Sequence, residues 1–475
     1  MNNLTLAYVN TMASQNGARL VARHYEILEY AFQYYRRHRV GPLYQNIRKH
    51  TGADRSEIER LFPHGLQSIY SWTKIPVYTP ETGCKPIAVA DGAPERETYL
   101  DYNSTTPIRE EVVEALTEFY RHPWSFGNPS ASNAPGARAY ESVEEARRRI
   151  ANVVGVDPRE IYFTGNGTES NNLAILGLAR AKGRGSVVYS TIEHPSALRT
   201  VESLAKEGFE PIPVAPTSEG IVEPTEVERA LRDDAILVVV MSVNNELGTK
   251  QPVEEIGDLC RARGVAFHMD AAQSFGKMPT PLRSIGATTA TFSAHKIYGP
   301  KGVGALYVAE GTAIAPISGG GDQERGLRPG TVNAAGAMAF GVAAELAERE
   351  REAETARLRE LRDRFLAGVH EIDPEAVVNG SLERRLPNNL NVGFPDVDGG
   401  SLLLSLNAVG VYVSAGSACS AGSQRTSHVL DAIGADSEKY GSIRFGFGAR
   451  TTEEDVDYAI DRLSKILGQL REHRL

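Results

Sequence analysis

The stretch Thr291-Phe-Ser-Ala-His295-Lys296-Ile-Tyr-Gly-Pro-Lys-Gly302 decides how this chain is read. The small and β-branched residues from Ala287 to Ser293 predict a strand, and Gly299-Pro-Lys-Gly302 predicts a turn. Lys296 stands between them, presented from a strand end into a polar site. A lone loop lysine is usually only a solvated charge. Two other stretches change that reading. Upstream, His268-Met-Asp270-Ala-Ala-Gln273 sets an acid at the end of an apolar strand. Downstream, Gly416-Ser-Ala-Cys419-Ser-Ala-Gly422 sets a cysteine among small residues. A lysine able to form a Schiff base and an acid able to pair with a pyridinium nitrogen are what a pyridoxal phosphate site requires.

Working outward, Thr98 onward alternates short apolar strands with helical stretches, the pattern of an α/β fold. Ala235 to Val243 is almost wholly apolar, as expected of a parallel strand buried on both faces, and it ends in Asn244-Asn245-Glu246. Strands predicted at 235–243, 265–269 and 287–293 therefore deliver Asn245, Asp270 and the Ser293/His295/Lys296 group at their carboxyl ends, the edge where open α/β sheets bind ligands. Thr164-Gly-Asn-Gly167-Thr168 joins a strand to a helix start, where free N–H groups and the helix dipole suit a phosphate. Alone, such a turn is common. Glu193-His194 lies at another strand end, where His194 could stack on a planar ring or serve only in packing. Gly319 to Thr331 is a glycine-rich basic loop, either flexible or anion-binding. A long helix over 335–366 leads to a second, smaller region with strands at 389–394 and 442–446.

At 475 residues the chain exceeds one ordinary core, and two or three domains are expected. The formal net charge of −9 argues against a general nucleic-acid binder. Three widely spaced cysteines, Cys84, Cys260 and Cys419, form neither a disulfide framework nor a metal pattern. With no apolar run long enough to span a bilayer and no signal-like start, a cytoplasmic protein is expected. Residues 1–84 read as a separate small helical module, with helices over 21–39, through Leu43 and Ile47, and from an Asp54-x-x-Glu57 capping box. Residues 85–97 read as a linker, 98–112 with 351–475 as the small subdomain, and 113–350 as the large cofactor-binding domain.

Several motifs occur in order: Asp101-Tyr-Asn-Ser-Thr-Thr-Pro107, Gly167-Thr-Glu169, Glu193-His194, Asn244-Asn-Glu-Leu-Gly248, Asp270-Ala-Ala-Gln273, Ser293-Ala-His-Lys296, Arg325-Gly-Leu-Arg-Pro-Gly-Thr331 and Gly416-Ser-Ala-Cys419. Together they resemble the cysteine desulfurases of the class V aminotransferase family, of the nitrogenase-maturation and iron–sulfur-assembly type. The resemblance implies a fold type I pyridoxal phosphate enzyme. Its large domain would hold a mostly parallel seven-stranded sheet between helices, beside a small α+β domain. Lys296 would carry the cofactor and act as base, and Asp270 would pair with the ring nitrogen. His194 would stack on the ring, with Asn245 and Gln273 on its O3′ oxygen. Gly167, Thr168, Ser293 and His295 would hold the phosphate, with Thr331 reaching it from the partner subunit of a homodimer. Arg444 would clamp the carboxylate of L-cysteine, helped by Asn245. Cys419 would take the sulfur as a persulfide and pass it to an acceptor protein, an iron–sulfur scaffold or a tRNA-thiolation carrier. The N-terminal module, through Leu61-Phe-Pro-His-Gly65, Ile75-Pro76 and Gly83-Cys84, resembles the sulfite-reductase gamma-subunit and tRNA-thiolation carrier family. That resemblance implies a sulfur relay at Cys84, with a docking adaptor as the other reading. A selenocysteine lyase, or another class V lyase or aminotransferase, remains the alternative activity.

Overall fold

The computed structural model describes Val9, Ala13, residues 19–38, Pro42, and residues 44–63, 65–73, 96–415 and 427–472. Cys84 and Cys419 lie outside the described residues, as do most of the expected linker and the loop 416–426.

The N-terminal module contains helices α1 (Ala22–His38), α2 (Tyr44–Thr51), α3 (Arg55–Leu61) and α4 (Leu66–Thr73). Ile27, Leu28, Ile47, Ile58, Phe62, Ile69 and Trp72 form a core of its own. Asp54 caps α3 by accepting from the Glu57 N–H at 2.8 Å. The expected reciprocal half of the capping box is replaced: the Glu57 carboxylate pairs instead with Arg23 of α1 at 2.9 Å. Helix α4 was not expected from sequence. It exists because Ile69 and Trp72, one turn apart, both reach the core.

From residue 98 the elements run β1 (Thr98–Tyr99), α5 (Glu110–Arg121), α6 (Ala134–Val154), β2 (Ile161–Thr164), α7 (Gly167–Lys182), β3 (Ser186–Ser190), α8 (Pro195–Leu204), β4 (Glu210–Val214), α9 (Pro224–Ala230), β5 (Ala235–Val239), α10 (Val253–Arg263), β6 (Ala266–Asp270), α11 (Leu282–Ile285), β7 (Thr289–Ser293) and β8 (Gly304–Val308). Then follow α12 (Ala334–Ile372), β9 (Val377–Val378), β10 (Asn389–Pro395), α13 (Gly399–Ala408), β11 (Val411–Tyr412), α14 (His428–Ala432), β12 (Tyr440–Gly446) and α15 (Glu453–Glu472).

Among the described residues the large sheet has the order β2-β8-β7-β6-β5-β3-β4. Strand β8 runs antiparallel to both of its neighbours, and the other pairs are parallel. Strand β5 ends at Val239, earlier than the apolar run suggested, but Val240 and Ser242 still donate to His268 and Asp270 of β6. The run stays apolar to Val243 because it is buried beyond the regular strand. The small sheet is β12-β10-β9, with β1 and β11 paired in parallel beside it.

Helix α12 is the spine that joins the two halves. Ala337, Phe340 and Ala344 belong to the large core, whereas Leu361, Phe365 and Val369 belong to the small one. Two segments depart from the boundaries read from sequence. Val112 of α5 packs in the large core, although Leu100 packs in the small one. Val429, Leu430 and Ile433, expected in the small subdomain, also pack in the large core. After β11 the chain crosses back, so the loop that carries Cys419 leaves from one domain and arrives at the other. Among the described residues, no helix is long and apolar enough to cross a membrane.

Candidate active site

Strands β5, β6 and β7 lie side by side and parallel, so their carboxyl ends open on one edge. Lys296 follows β7 in a short turn, and its Nζ donates to the backbone carbonyls of Asn103 at 2.7 Å and Ser104 at 2.6 Å. The turn beyond it is held in a conformation that costs energy. Tyr298 has φ 66, in the left-handed region, which costs a non-glycine residue roughly 1–3 kcal/mol. Thr106 accepts from the Tyr298 N–H at 2.8 Å, and the Tyr298 hydroxyl accepts from the Ala449 N–H at 2.8 Å. At Gly299 a Cβ would meet the Ala294 side chain and carbonyl at 2.9 Å, so glycine is required there. Burial lowers the pKa of the Lys296 ammonium to about 8, with the nearby Arg444 cation adding to the effect. A lysine poised in this way is a nucleophile near neutral pH.

Asp270 ends β6, and its two oxygens accept from the Asn171 side chain at 2.7 Å and the Ala272 N–H at 3.0 Å. Asn171 is a buried polar residue on α7, four positions past Gly167. Its Oδ1 lies 3.1 Å from His268 Nε2, and its Nδ2 also donates to the Ser196 hydroxyl at 2.8 Å. Buried His268, its pKa lowered to about 4 chiefly by burial, is neutral. Its Nε2 must then carry the proton, because the carboxamide oxygen only accepts. His194 accepts at Nδ1 from the Ser196 N–H, 3.1 Å, and lies 2.7 Å from that residue's hydroxyl. The Nε2 of His194 is left to bear the proton. Burial lowers the His194 pKa as well, against the opposing pull of Asp270. Asn171 and Ser196 thus tie the acid and the imidazole into one network. Sequence reading missed both; the available signal was paired asparagines inside an otherwise apolar helix.

Arg444 on β12 belongs to the small domain yet reaches this edge. It donates to Asp101 at 2.7 Å, to the Ser104 hydroxyl at 2.7 Å and to the Asn245 carbonyl at 2.9 Å. Its buried Nε has no partner. Gln273 donates to the Asn103 carbonyl at 3.0 Å. His295, its pKa pushed down to about 3 mainly by burial, faces the Thr105 hydroxyl at 3.1 Å. Ser293 is buried, whereas Thr168 is exposed at the start of α7 and Thr331 is exposed at the end of the glycine-rich loop. That loop is pinned. Glu324 forms a buried two-armed pair with Arg147, both contacts 2.8 Å, and accepts from the Phe163 N–H at 2.7 Å. Arg328 pairs with Glu169 in the first turn of α7 at 2.8 Å.

The described ends of the cysteine loop are fastened to site motifs. Ser414 exchanges both backbone hydrogen bonds with Arg444. On the far side the Ser427 hydroxyl donates to the Glu246 carboxylate, and His428 Nε2 donates to the Glu193 carbonyl at 3.0 Å.

These residues fit pyridoxal phosphate. Gly167 lies at the α7 N-terminus, ahead of the first intrahelical N–H partners. A Cβ there would stand 3.5 Å from Thr291 and 3.6 Å from Ser293, which places the helix start against the end of β7. The amine, the acid and the orphaned Arg444 Nε would supply the remaining contacts that the cofactor and an amino-acid carboxylate need.

Residues 98–459 match the aminotransferase class-V family, and the chain belongs to that family. Within it, the chain falls among the cysteine desulfurases. A cysteine desulfurase IscS of Klebsiella pneumoniae is 47% identical over 382 residues, covering 79% of this chain and 93% of the relative. A cysteine desulfurase IscS of Dictyoglomus turgidum is 45% identical over 381 residues, covering 79% and 96%. Among solved structures, a NifS-like protein superposes with a TM-score of 0.74 at 37% identity, covering 79% of this chain and 100% of that one.

Proposed function

We infer that this chain is a pyridoxal phosphate-dependent cysteine desulfurase that takes sulfur from L-cysteine, releases alanine and passes the sulfur to an acceptor protein. The observation that carries this reading is the convergence of Lys296, Asp270 and Arg444 at one sheet edge, in a chain of this family.

The cofactor, when bound, supplies an electron sink for breaking the substrate's Cα–H and C–S bonds. The α7 N-terminus, with Gly167 and Thr168, and Ser293 and His295 at the end of β7 would hold its phosphate. Asp270, braced by Asn171, would keep a proton on the ring nitrogen. His194 would offer a flat imidazole to the ring, and Asn245 and Gln273 would hydrogen-bond its phenolic oxygen. Lys296 would hold the cofactor through its amine and, once free of it, would move the proton at the substrate's Cα. Arg444 grips the substrate carboxylate with its guanidinium. The Cys419 thiolate then attacks the substrate sulfur. The S–S bond forms as the Cβ–S bond breaks, the electron pair goes to the carbon side, and protonation gives alanine.

Two further parts of this reading rest on separate observations. A homodimer is supported by Tyr120, Trp124 and Phe126, which lie within seven residues at 70%, 47% and 77% exposure. Thr331 would then reach the phosphate of the partner subunit. A relay through Cys84 is supported by the sulfur-carrier resemblance of residues 1–84. In that step the Cys84 thiolate attacks the outer persulfide sulfur and Cys419 leaves as a thiolate. A cytoplasmic setting, with an iron–sulfur scaffold or tRNA-thiolation carrier as acceptor, completes the proposal.

One experiment reads the chemistry. Cys419→Ser should lose alanine production by roughly 10²-fold or more while keeping the cofactor's visible band, as expected for removal of a nucleophile. Mass spectrometry after turnover should find persulfide on Cys419 and Cys84 of the parent enzyme and on neither in the variant. Sustained alanine and sulfide release by Cys419→Ser would sink the persulfide mechanism. Absence of sulfur on Cys84, with normal transfer by Cys84→Ala, would leave the N-terminal module a docking element.

A further inference from the structure

Lys277 is the residue the mechanism above does not use. It follows Gln273 by four positions, in the turn after β6, and its Nζ donates to Gln273 Oε1 at 3.1 Å. Gln273 Nε2 donates to the Asn103 carbonyl at 3.0 Å, and Lys296 Nζ donates to that same carbonyl at 2.7 Å. Lys277, Gln273, Asn103 and Lys296 therefore form one chain of contacts. A carboxamide can normally be turned end for end. Here it cannot be, because an ammonium only donates and a carbonyl only accepts. Both ends of Gln273 are fixed by groups of opposite hydrogen-bonding sense, so its NH2 group must face the Lys296 corner. One of the two N–H bonds serves Asn103, and the other remains for a ligand oxygen.

We propose that Lys277 is a positioning residue, whose donated hydrogen bond holds the Gln273 carboxamide with its donor end toward the cofactor's phenolic oxygen. This rests on the reading that Gln273 faces that oxygen. Lys277 lines a cavity of about 60 Å³ between the two domains, which Lys296, Arg109, Glu350, Arg351 and Glu354 also line. Burial lowers its pKa to about 7, with the Lys296 charge as the second cause. Once neutral the amine can accept as well as donate, and the Asn103 carbonyl, which only accepts, then keeps the NH2 end of Gln273 in place while Lys277 goes on donating to Oε1.

The consequence is spectroscopic. A donor on the phenolic oxygen stabilises its anion and lowers the pH at which the bound cofactor's visible band changes. Loss of the donor raises it. In the cofactor-loaded full chain, Lys277→Met should raise the midpoint of that titration by half a unit or more and lower kcat about tenfold, with KM changed less. Lys277→Gln, which still donates, should move the midpoint less than the methionine variant does. Gln273→Leu should raise it at least as far as Lys277→Met. A Lys277→Met enzyme that titrates with the parent, beside a shifted Gln273→Leu enzyme, would overturn the role given to Lys277. No shift in Gln273→Leu would instead fail the Gln273 assignment on which it rests. Equal shifts in both Lys277 variants would assign the effect to charge and overturn the hydrogen-bond role. Should Lys277→Met not fold, Lys277→Gln with the parent's kcat and midpoint supports the proposal, and a shift as large as that of Gln273→Leu overturns it.

Discussion

A lysine is an ordinary surface residue until its surroundings make it a nucleophile. At Lys296 that change comes from burial and from the Arg444 cation, which lower its pKa to about 8 from an ordinary value of 10.5. The neutral amine is the reactive form. Covalent uptake of pyridoxal phosphate by the apoprotein should therefore speed up as pH rises, with a midpoint near 8. Absorbance measurements of the uptake rate between pH 6 and pH 11 check this. A midpoint at or above 10 would mean that the amine is solvated like any surface lysine. The sign for stability follows from linkage. Between the folded and unfolded values the unfolded chain binds more protons, so this group adds stability to the apoprotein as pH rises through that window. The sequence already marked Lys296, Asp270 and Cys419 as candidates, since each has a distinctive side chain at a strand end or in a small-residue loop; the structure brings Lys296 and Asp270 to one sheet edge, and Cys419 lies outside the described residues. Asn171, Ser196 and Lys277 were not legible. Their roles depend on which atoms they meet: Asn171 meets Asp270 from 99 positions away, and Lys277 meets Gln273, whose own partner Asn103 lies 170 positions off.

At the scale of elements, three parallel strands do most of the positioning. Their apolar runs were readable because a strand buried on both faces cannot hide its composition. The stems of the cysteine loop could not be read in that way. Ser427 looks like one more small polar residue, yet it caps α14 and donates to buried Glu246. Glu246 adjoins Asn245, whose carbonyl binds Arg444. Ser427→Ala should cost about 1–3 kcal/mol by stranding a buried carboxylate, measured by chemical denaturation. It should also lower kcat several-fold with the cofactor's spectrum unchanged, because the downstream stem of the segment that carries Cys419 loses its tie to the site. A variant with full kcat would show that this stem does not set the position of the cysteine. The glycine-rich loop carries a similar lesson. Its glycines left flexibility and anion binding both open, but Glu324 and Arg325 hold left-handed backbone at φ 47 and φ 56. They are kept there by a buried pair with Arg147 and by Arg325 stacked 3.8 Å over the Tyr162 ring. The pinning partners sit more than 160 positions earlier, beyond the reach of local sequence rules.

At the scale of the whole molecule, the exposed aromatic residues near α5 are the feature that a lone chain leaves unexplained. If they join two copies, Trp124→Glu with Phe126→Glu should weaken association by about 2 kcal/mol or more, the scale of an aromatic hot spot. Sedimentation of the double variant should then show a halved mass at concentrations where the parent is dimeric. An unchanged mass would remove this face from the interface. By itself the sequence determined the α/β class and the helical character of the N-terminal module, and it marked the lysine, acid and cysteine as candidates, because hydrophobic period and side-chain chemistry are local properties. Only the tertiary structure decided that Arg444 of the small domain meets Lys296 of the large one, and that α14 packs in the large core rather than the small. It also decided that Lys277 is held against Gln273. The first two are long-range contacts, selected by the burial of surfaces that are distant in the chain, and no local pattern encodes which distant partner will cover them; the third is a contact of four positions whose meaning depends on the distant Asn103 carbonyl that Gln273 also meets.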